Sequence, residues 1–143
     1  MSKPEISPVI KYPFPIKQNI YWGEMDAINH INNVTYFRYF ENGRVTFFFE
    51  TGLWQLLIDE NIQIVVAKLD CNYIQPLVYP DEIEISVGFK SIGNTSFVVH
   101  QKVESTRKGL AAHGDAVIVG TDPETGMKKP WSEKVRAEFA KWL

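Results

Sequence analysis

The amino-acid sequence predicts an α+β domain in which an antiparallel sheet of about five strands wraps around a long central helix. Three observations predict it. Residues 33–51 contain no Pro and carry Val34, Tyr36, Phe37, Tyr39, Phe40, Val45, Phe47, Phe48 and Phe49 around most of a helical circumference. A helix apolar nearly all round is buried rather than laid on a surface. After residue 61 the hydrophobic period changes to two: Ile83, Ile85, Val87 and Phe89 alternate with Glu82, Glu84, Ser86, Gly88 and Lys90, the pattern of a half-buried strand. Short turn signals then join successive strands, which makes an antiparallel meander.

The chain of 143 residues is expected to form one domain over residues 16–143, preceded by a flexible arm at residues 1–15 whose four prolines deny it regular pairing. Residues 16–22 read as a first strand with Ile16, Gln18, Ile20 and Trp22 on one face. Residues 23–32 form a polar loop. The central helix follows, capped at its start by Asn32 or Asn33 and ended by Gly52, where a left-handed residue is wanted. Residues 53–60 continue as a short second helix. Strand signals then recur over residues 62–73 and 82–90. The Ile92-Gly93-Asn94-Thr95 turn leads into a strand at 96–105, and Arg107-Lys108-Gly109 leads into another at 110–121. A last helix begins near Pro130 or Ser132 and sets Trp131, Val135 and Phe139 on one face, with Trp142 close by. A five-stranded sheet leaves edges to be covered, and pairing two copies edge to edge predicts a homodimer.

Several function classes are disfavoured. A formal charge of −2 gives no basic face for nucleic acid. The single cysteine, Cys71, excludes an internal disulfide and a cysteine-based zinc cluster, and is read as a small core residue on a strand. His100 and His113 fall in strands without neighbouring ligands, so no metal is expected. The N-terminus lacks the apolar run of a signal peptide, and no apolar stretch reaches the ~20 residues that span a bilayer. A cytoplasmic location is expected, with no membrane partner. No Gly-x-Ser-x-Gly elbow and no phosphate-binding Gly loop occur.

Candidate chemistry concentrates in the loop Gly23-Glu24-Met25-Asp26-Ala27-Ile28-Asn29-His30-Ile31-Asn32-Asn33. Hydrolysis of an activated acyl group needs a base or nucleophile and a donor for the oxyanion. Asp26 is the candidate for the first, either attacking the carbonyl or deprotonating water. The first N–H groups of the helix lack intrahelical partners, and the macrodipole favours negative charge there; the backbone N–H of Asn33, or of one residue on either side, is the candidate donor. His30 stands beside Asp26 and is the candidate to orient water or the thioester. Glu24 reads as hydrogen-bonded structure, and Asn29 and Asn32 as turn formers. Glu41 and Arg44, three apart on the helix, read as a structural ion pair. Lys90, Arg107 and Lys108, at strand ends or turns, read as solvated.

With Gly23-x-x-Asp26, Asn33, Tyr36, Glu41 and Arg44, followed by Tyr73-x-x-Pro76, Ile92-Gly93-x-x-Ser96 and Gly109 leading to Asp122, the chain resembles the hot-dog-fold thioesterases of the 4-hydroxybenzoyl-CoA thioesterase and acyl-CoA thioesterase group. The similarity runs from about Ile16 to Pro130. It implies a hot-dog fold, with Asp26 at the position of the acidic catalytic residue and Asn33 at the helix-start amide that polarises the thioester carbonyl. The segment His30-Ile31-Asn32-Asn33 is similar to long-chain acyl-CoA and acyl-carrier-protein thioesterases. The chain departs at Ile28, where plant-type members carry Asn, and at Tyr79-Pro80-Asp81, where Gly-Asp is usual. The resemblance implies hydrolysis of acyl-CoA or acyl-carrier-protein thioesters to free acid and thiol. It also implies no cofactor, and a homodimer or dimer of dimers with each site built between subunits. The alternative is a hot-dog protein that binds acyl-CoA without turnover; a third reading is a dehydratase of hydroxyacyl thioesters.

Overall fold

A computed structural model describes residues 5–6 and 9–143. The elements run β1 (Glu5–Ile6), β2 (Ile16–Asn19), a 3₁₀ turn (Trp22–Glu24), α1 (Thr35–Glu50), α2 (Leu53–Asp59), β3 (Gln63–Leu69), β4 (Asn72–Tyr73), β5 (Glu82–Ile92), β6 (Ser96–Ser105), β7 (Gly109–Thr121) and α3 (Glu133–Ala140). All strand pairings are antiparallel. The sheet holds seven strands, not five, yet it occupies five lanes: β1 and β2 share the lane beside β5, β6 and β7 follow, and β3 and β4 share the lane beyond β7. The lane count was therefore legible, and the interruptions were not. The lane beyond β7 breaks where β3 shifts register between Val66 and Lys68 and Asp70 then bonds to Asp115.

The period-two pattern dictates which faces pack. Ile83, Ile85, Val87 and Phe89 of β5 and Phe97, Val99 and Val103 of β6 are buried against α1. Gly43 sits where α1 crosses β5: a Cβ there would lie 2.7 Å from Ile85 and 2.8 Å from Val87 side-chain carbons, so the helix approaches the sheet only because position 43 has no side chain. Two apolar clusters flank this crossing. One gathers Phe47, Phe48, Phe89, Phe97 and Phe139 with Trp131 and Val135. The other gathers Tyr36, Tyr39 and Phe40 with Ile83, Ile85 and Val103. Gly52 ends α1 at φ 76°, as its position predicts. Ser132 caps α3, its hydroxyl accepting from Val135 N–H at 3.2 Å.

Four expectations need correction. The first strand ends at Asn19, and Trp22 opens the 3₁₀ turn, exposed rather than facing the core. The N-terminal arm was given no regular pairing; residues 1–4 and 7–8 lie outside the described residues, but Glu5 and Ile6 pair with Ile92 and Ser91. Its later part packs closely: a Cβ on Gly88 would stand 2.0 Å from the Lys11 carbonyl oxygen. Cys71 is not in a strand; it lies partly buried between β3 and β4. Finally, α1 is not covered all round. Val45 and Phe49 are exposed, with Phe49 stacked on the exposed Trp54 of α2 at 5.6 Å. Val65 and Val66 of β3 are exposed as well. No helix among the described residues is long and apolar enough to cross a membrane.

Candidate active site

The loop between β2 and α1 is a closed hairpin anchored at three points. Met25 and Ile31 form a bridge. Inside it, Asp26 N–H donates to the His30 carbonyl at 2.8 Å and Asn29 N–H to the Asp26 carbonyl at 3.1 Å. Asn29 makes the reversal at φ 62°, a left-handed conformation that Asn tolerates better than most residues. The first anchor is Glu24, whose carboxylate accepts from Tyr21 N–H at 2.7 Å and from the Tyr39 hydroxyl of α1 at 2.9 Å; Glu24 is thus hydrogen-bonded structure, as read. The others are backbone bonds, Ile31 N–H to Leu77 O and Asn32 N–H to Glu24 O, both 2.9 Å.

This scaffold fixes the Asp26 carboxylate by one oxygen. Oδ1 accepts from Ile28 N–H at 3.0 Å and from His30 N–H at 3.3 Å. Oδ2 has no protein donor among the described residues. The side chain is therefore held in orientation while one lone-pair-bearing oxygen stays available.

The start of α1 is shared between satisfied and open donors. The Asn32 side chain accepts from Val34 N–H at 3.0 Å and the Asn32 carbonyl accepts from Thr35 N–H at 2.9 Å, so Asn32 closes the turn leading into α1, while Val34, not Asn32 or Asn33, occupies the cap position without a side-chain bond. Asn33 N–H has no acceptor among the described residues. The Asn33 peptide is gripped from its other side, because the Tyr73 hydroxyl donates to the Asn33 carbonyl at 2.7 Å. Burial, and then the neighbouring Cys71 thiol, push the Tyr73 phenol up to about 12, so it remains a donor at neutral pH. Tyr73 is itself braced edge-on by Tyr36, with ring centroids 5.1 Å apart, and the Tyr36 hydroxyl accepts from Leu77 N–H at 3.1 Å.

Asp26, His30 and Asn33 all line one cleft of about 480 Å³, together with Ile28, Tyr73 and Gln75. Gln75 ties the far wall to the β6–β7 turn, its amide donating to the Lys108 and Leu110 carbonyls at 2.8 Å each. Sequence reading assigned no role to Tyr73 or Gln75. The signal was present in Tyr73-x-x-Pro76, but nothing in the residues says that this segment lies across the loop from Asn33. Glu41 and Arg44 do not line this cleft, and the ion pair expected between them is absent among the described residues. Arg44 turns inward instead, its Nη1 donating to Gln101 Oε1 at 2.8 Å. Lys90 and Arg107 are engaged elsewhere, with Asp115 at 2.7 Å and Asp81 at 3.5 Å. Among the described residues no group of three or more His, Cys, Asp or Glu is placed to hold a metal.

Tyr73→Phe is expected to keep the fold and the cleft while removing one hydrogen bond to the Asn33 peptide. A single net hydrogen bond of ~1 kcal/mol sets a fall in kcat of about fivefold. Steady-state thiol release, with circular dichroism as the control for folding, measures it.

The thioesterase-like superfamily matches this chain over residues 20–139. The uncharacterized protein YsmA of Bacillus subtilis is 29% identical over 125 residues, covering 86% of this chain and 82% of YsmA. The long-chain acyl-CoA thioesterase FadM of Escherichia coli is 26% identical over 94 residues, covering 66% of this chain and 70% of FadM. Among solved structures, a thioesterase from Thermus thermophilus complexed with coenzyme A and zinc superposes with a TM-score of 0.76 at 24% identity, over 91% of this chain and 94% of that one. The helix-wrapping sheet, the match over most of the sequence and these relatives agree: the chain belongs to the thioesterase-like superfamily and is a thioester hydrolase of hot-dog fold.

Proposed function

We propose that the protein hydrolyses acyl-CoA, with Asp26 as the reacting carboxylate and Asn33 N–H as the oxyanion donor. The observation that carries this reading is the pairing of an open acceptor, Asp26 Oδ2, with an open donor, Asn33 N–H, on one cleft. The thioester carbonyl oxygen is held at the helix start, where the unpaired N–H and the positive end of α1 stabilise charge as it develops. Asp26 takes a proton from water, and the water oxygen adds to the carbonyl carbon. The tetrahedral species expels the thiolate as the C–S bond breaks, and the thiolate receives the proton. Direct attack by Asp26 Oδ2, giving a mixed anhydride that water opens, uses the same two groups. His30 orients the water or the thioester from the same wall. Neither route calls on a metal or a cofactor.

Coenzyme A is favoured as the thiol carrier by the similarity to FadM, a long-chain acyl-CoA thioesterase, and to the Thermus thioesterase complexed with coenzyme A. The compartment proposed is the cytoplasm, where a chain with one cysteine and no disulfide is at home. The whole described chain from β2 onward acts as a single domain, with residues 1–15 as an appended arm.

The active form proposed is a homodimer joined along β3. Among the described residues that strand pairs with β7 on one side only, and an open strand edge calls for a partner. Exposed Val65, Val66, Val45 and Trp54 border the same edge. The β4 residue Tyr73, which grips Asn33, continues that lane; a partner seated on β3 therefore stands beside the catalytic cleft. Sedimentation of the full chain is expected to give twice the mass of one chain or a further doubling of it. Val65→Lys, which sets a charge on the edge, is expected to shift it to monomer.

The test of the activity is thiol release from short, long and aromatic acyl-CoA thioesters. Turnover of at least one class supports it. Saturable acyl-CoA binding without thiol release would assign the protein as a binder instead.

A further inference from the structure

Seven aromatic residues lie on α1, and five of them are Phe. The two exceptions, Tyr36 and Tyr39, stand three apart and so share one face of the helix. Both are buried. A core position asks only for a ring, which Phe supplies without a polar atom to satisfy, whereas a buried Tyr hydroxyl needs a partner. Both hydroxyls find theirs at the mounts of the Asp26 hairpin.

The Tyr39 hydroxyl donates to Glu24 Oε1 at 2.9 Å. Glu24 directly precedes Met25, where the Met25–Ile31 bridge opens the hairpin. The Tyr36 hydroxyl accepts from Leu77 N–H at 3.1 Å, and the Leu77 carbonyl accepts from Ile31 N–H at 2.9 Å, where the hairpin closes. The hairpin is thus tied to α1 from both its strands, and the residues leading into α1 carry Asn33. The two rings are braced as well. Tyr39 meets Tyr36 edge-on at 6.0 Å, and Tyr36 meets Tyr73 edge-on at 5.1 Å, ending at the hydroxyl that holds the Asn33 carbonyl. Burial, and then the hydrogen bond to Glu24, push the Tyr39 phenol well above its ordinary value, so it stays a donor at neutral pH.

We infer that Tyr39 and Tyr36 are positioning residues for thioester hydrolysis: their hydroxyls fix the span between the Asp26 carboxylate and the Asn33 N–H, while their rings fill the core as Phe would. This rests on the roles proposed above for Asp26 and Asn33. Neither hydroxyl bonds to the Asp26 carboxylate, so each acts through a mount. Asp26 Oδ1 is oriented from within the hairpin by Ile28 and His30 N–H. A tilt of the whole hairpin therefore moves Oδ2 relative to Asn33 without breaking those bonds, and only the mounts resist it. A misplacement of ~1 Å in such a pair costs about 10²-fold in rate.

Tyr36 also lines the cleft and Tyr39 does not, so Tyr39 isolates the mount. Tyr39→Phe keeps the ring and its edge contacts and removes one bond. With hexanoyl-CoA, dodecanoyl-CoA and benzoyl-CoA as substrates, it is expected to lower kcat about tenfold and to leave KM within about twofold. Glu24→Ala removes the same bond from its other end. It is expected to match Tyr39→Phe, and the double variant to be no slower than either, since effects through one shared contact do not add. Phe47→Leu, in the other apolar cluster, is the control: it is expected to lower Tm and leave kcat as it is. A native kcat in Tyr39→Phe, or a kcat that falls with Tm in Phe47→Leu, overturns the inference.

A second readout needs no substrate. Hydrogen exchange at the Tyr21, Ile31 and Asn32 amides, whose bonds make up the mounts, is expected to quicken about tenfold in Tyr39→Phe, a local opening, and not in Phe47→Leu. Unchanged exchange at all three overturns the mount. Should Tyr39→Phe not fold, Glu24→Ala supplies both measurements. Cleavage of none of the three thioesters by the native protein removes the proposed acyl-CoA activity, and exchange alone then decides whether the hydroxyls hold the hairpin.

Discussion

Asp26→Asn is expected to lower kcat by about 10²–10⁴-fold, the usual worth of a positioned general base, while KM and the fold change little. The substitution is nearly isosteric. Its Oδ1 still accepts from Ile28 and His30 N–H, so the hairpin stays closed and the cleft keeps its shape. What is lost is the charge and the proton affinity of the second oxygen. That separation makes the variant informative: a loop needed only for structure would tolerate Asn at this position without loss. Thiol release under saturating acyl-CoA measures the effect, and thermal unfolding checks that the hairpin survives. Retention of full activity would remove Asp26 from the chemistry and turn attention to His30 in the same cleft.

The largest expected effect on stability is at Phe97. Phe97 is fully buried and its ring meets four others: Phe48 at 5.7 Å, Phe89 at 4.9 Å, Trp131 at 5.7 Å and Phe139 at 5.1 Å. It therefore joins α1, β5, β6 and α3 in one contact. Phe97→Ala deletes the ring from a site whose walls come from separate elements and cannot all collapse inward. The cost is expected near the ~3–5 kcal/mol typical of Phe→Ala in cores, a fall in Tm of about 10–15 °C for a chain of this size. Chemical denaturation of native and variant protein measures it. A cost below ~1 kcal/mol would mean that the aromatic cluster is loosely packed.

The two predictions differ in how much of their basis the sequence contained. Period-two alternation in β5 and the Pro-free aromatic run of α1 are local patterns, and both elements form where the patterns place them. Asp26, His30 and Asn33 line one cleft for the same reason: eight residues of one loop hold them, so the hairpin brings them together with little help from elsewhere. Gly52 was read correctly as the end of α1 because a left-handed cap is a property of a few consecutive residues.

What failed was non-local. Glu41 and Arg44 have the spacing of a helical ion pair, yet Arg44 finds Gln101, fifty-seven residues away, because α1 presses that face onto β6. Helical spacing says which residues can meet on one helix and is silent on what lies beneath it. The aromatic run suggested burial on all sides, whereas one strip of α1 remains open beside the free edge of β3. Composition records how apolar a helix is, and only the count of covering layers decides how much of it one chain encloses.

The sequence alone thus determined the order of the elements, the wrapped helix and the loop that holds the candidate residues, since each depends on the conformational preferences of neighbouring residues. The tertiary structure decided that Tyr73 grips the Asn33 peptide, that Arg44 bonds to Gln101 beneath the helix, and that β3 pairs with β7 while its other edge stays open among the described residues. Each of these joins residues far apart in the chain, and such contacts are set by how layers stack, a quantity no local pattern encodes.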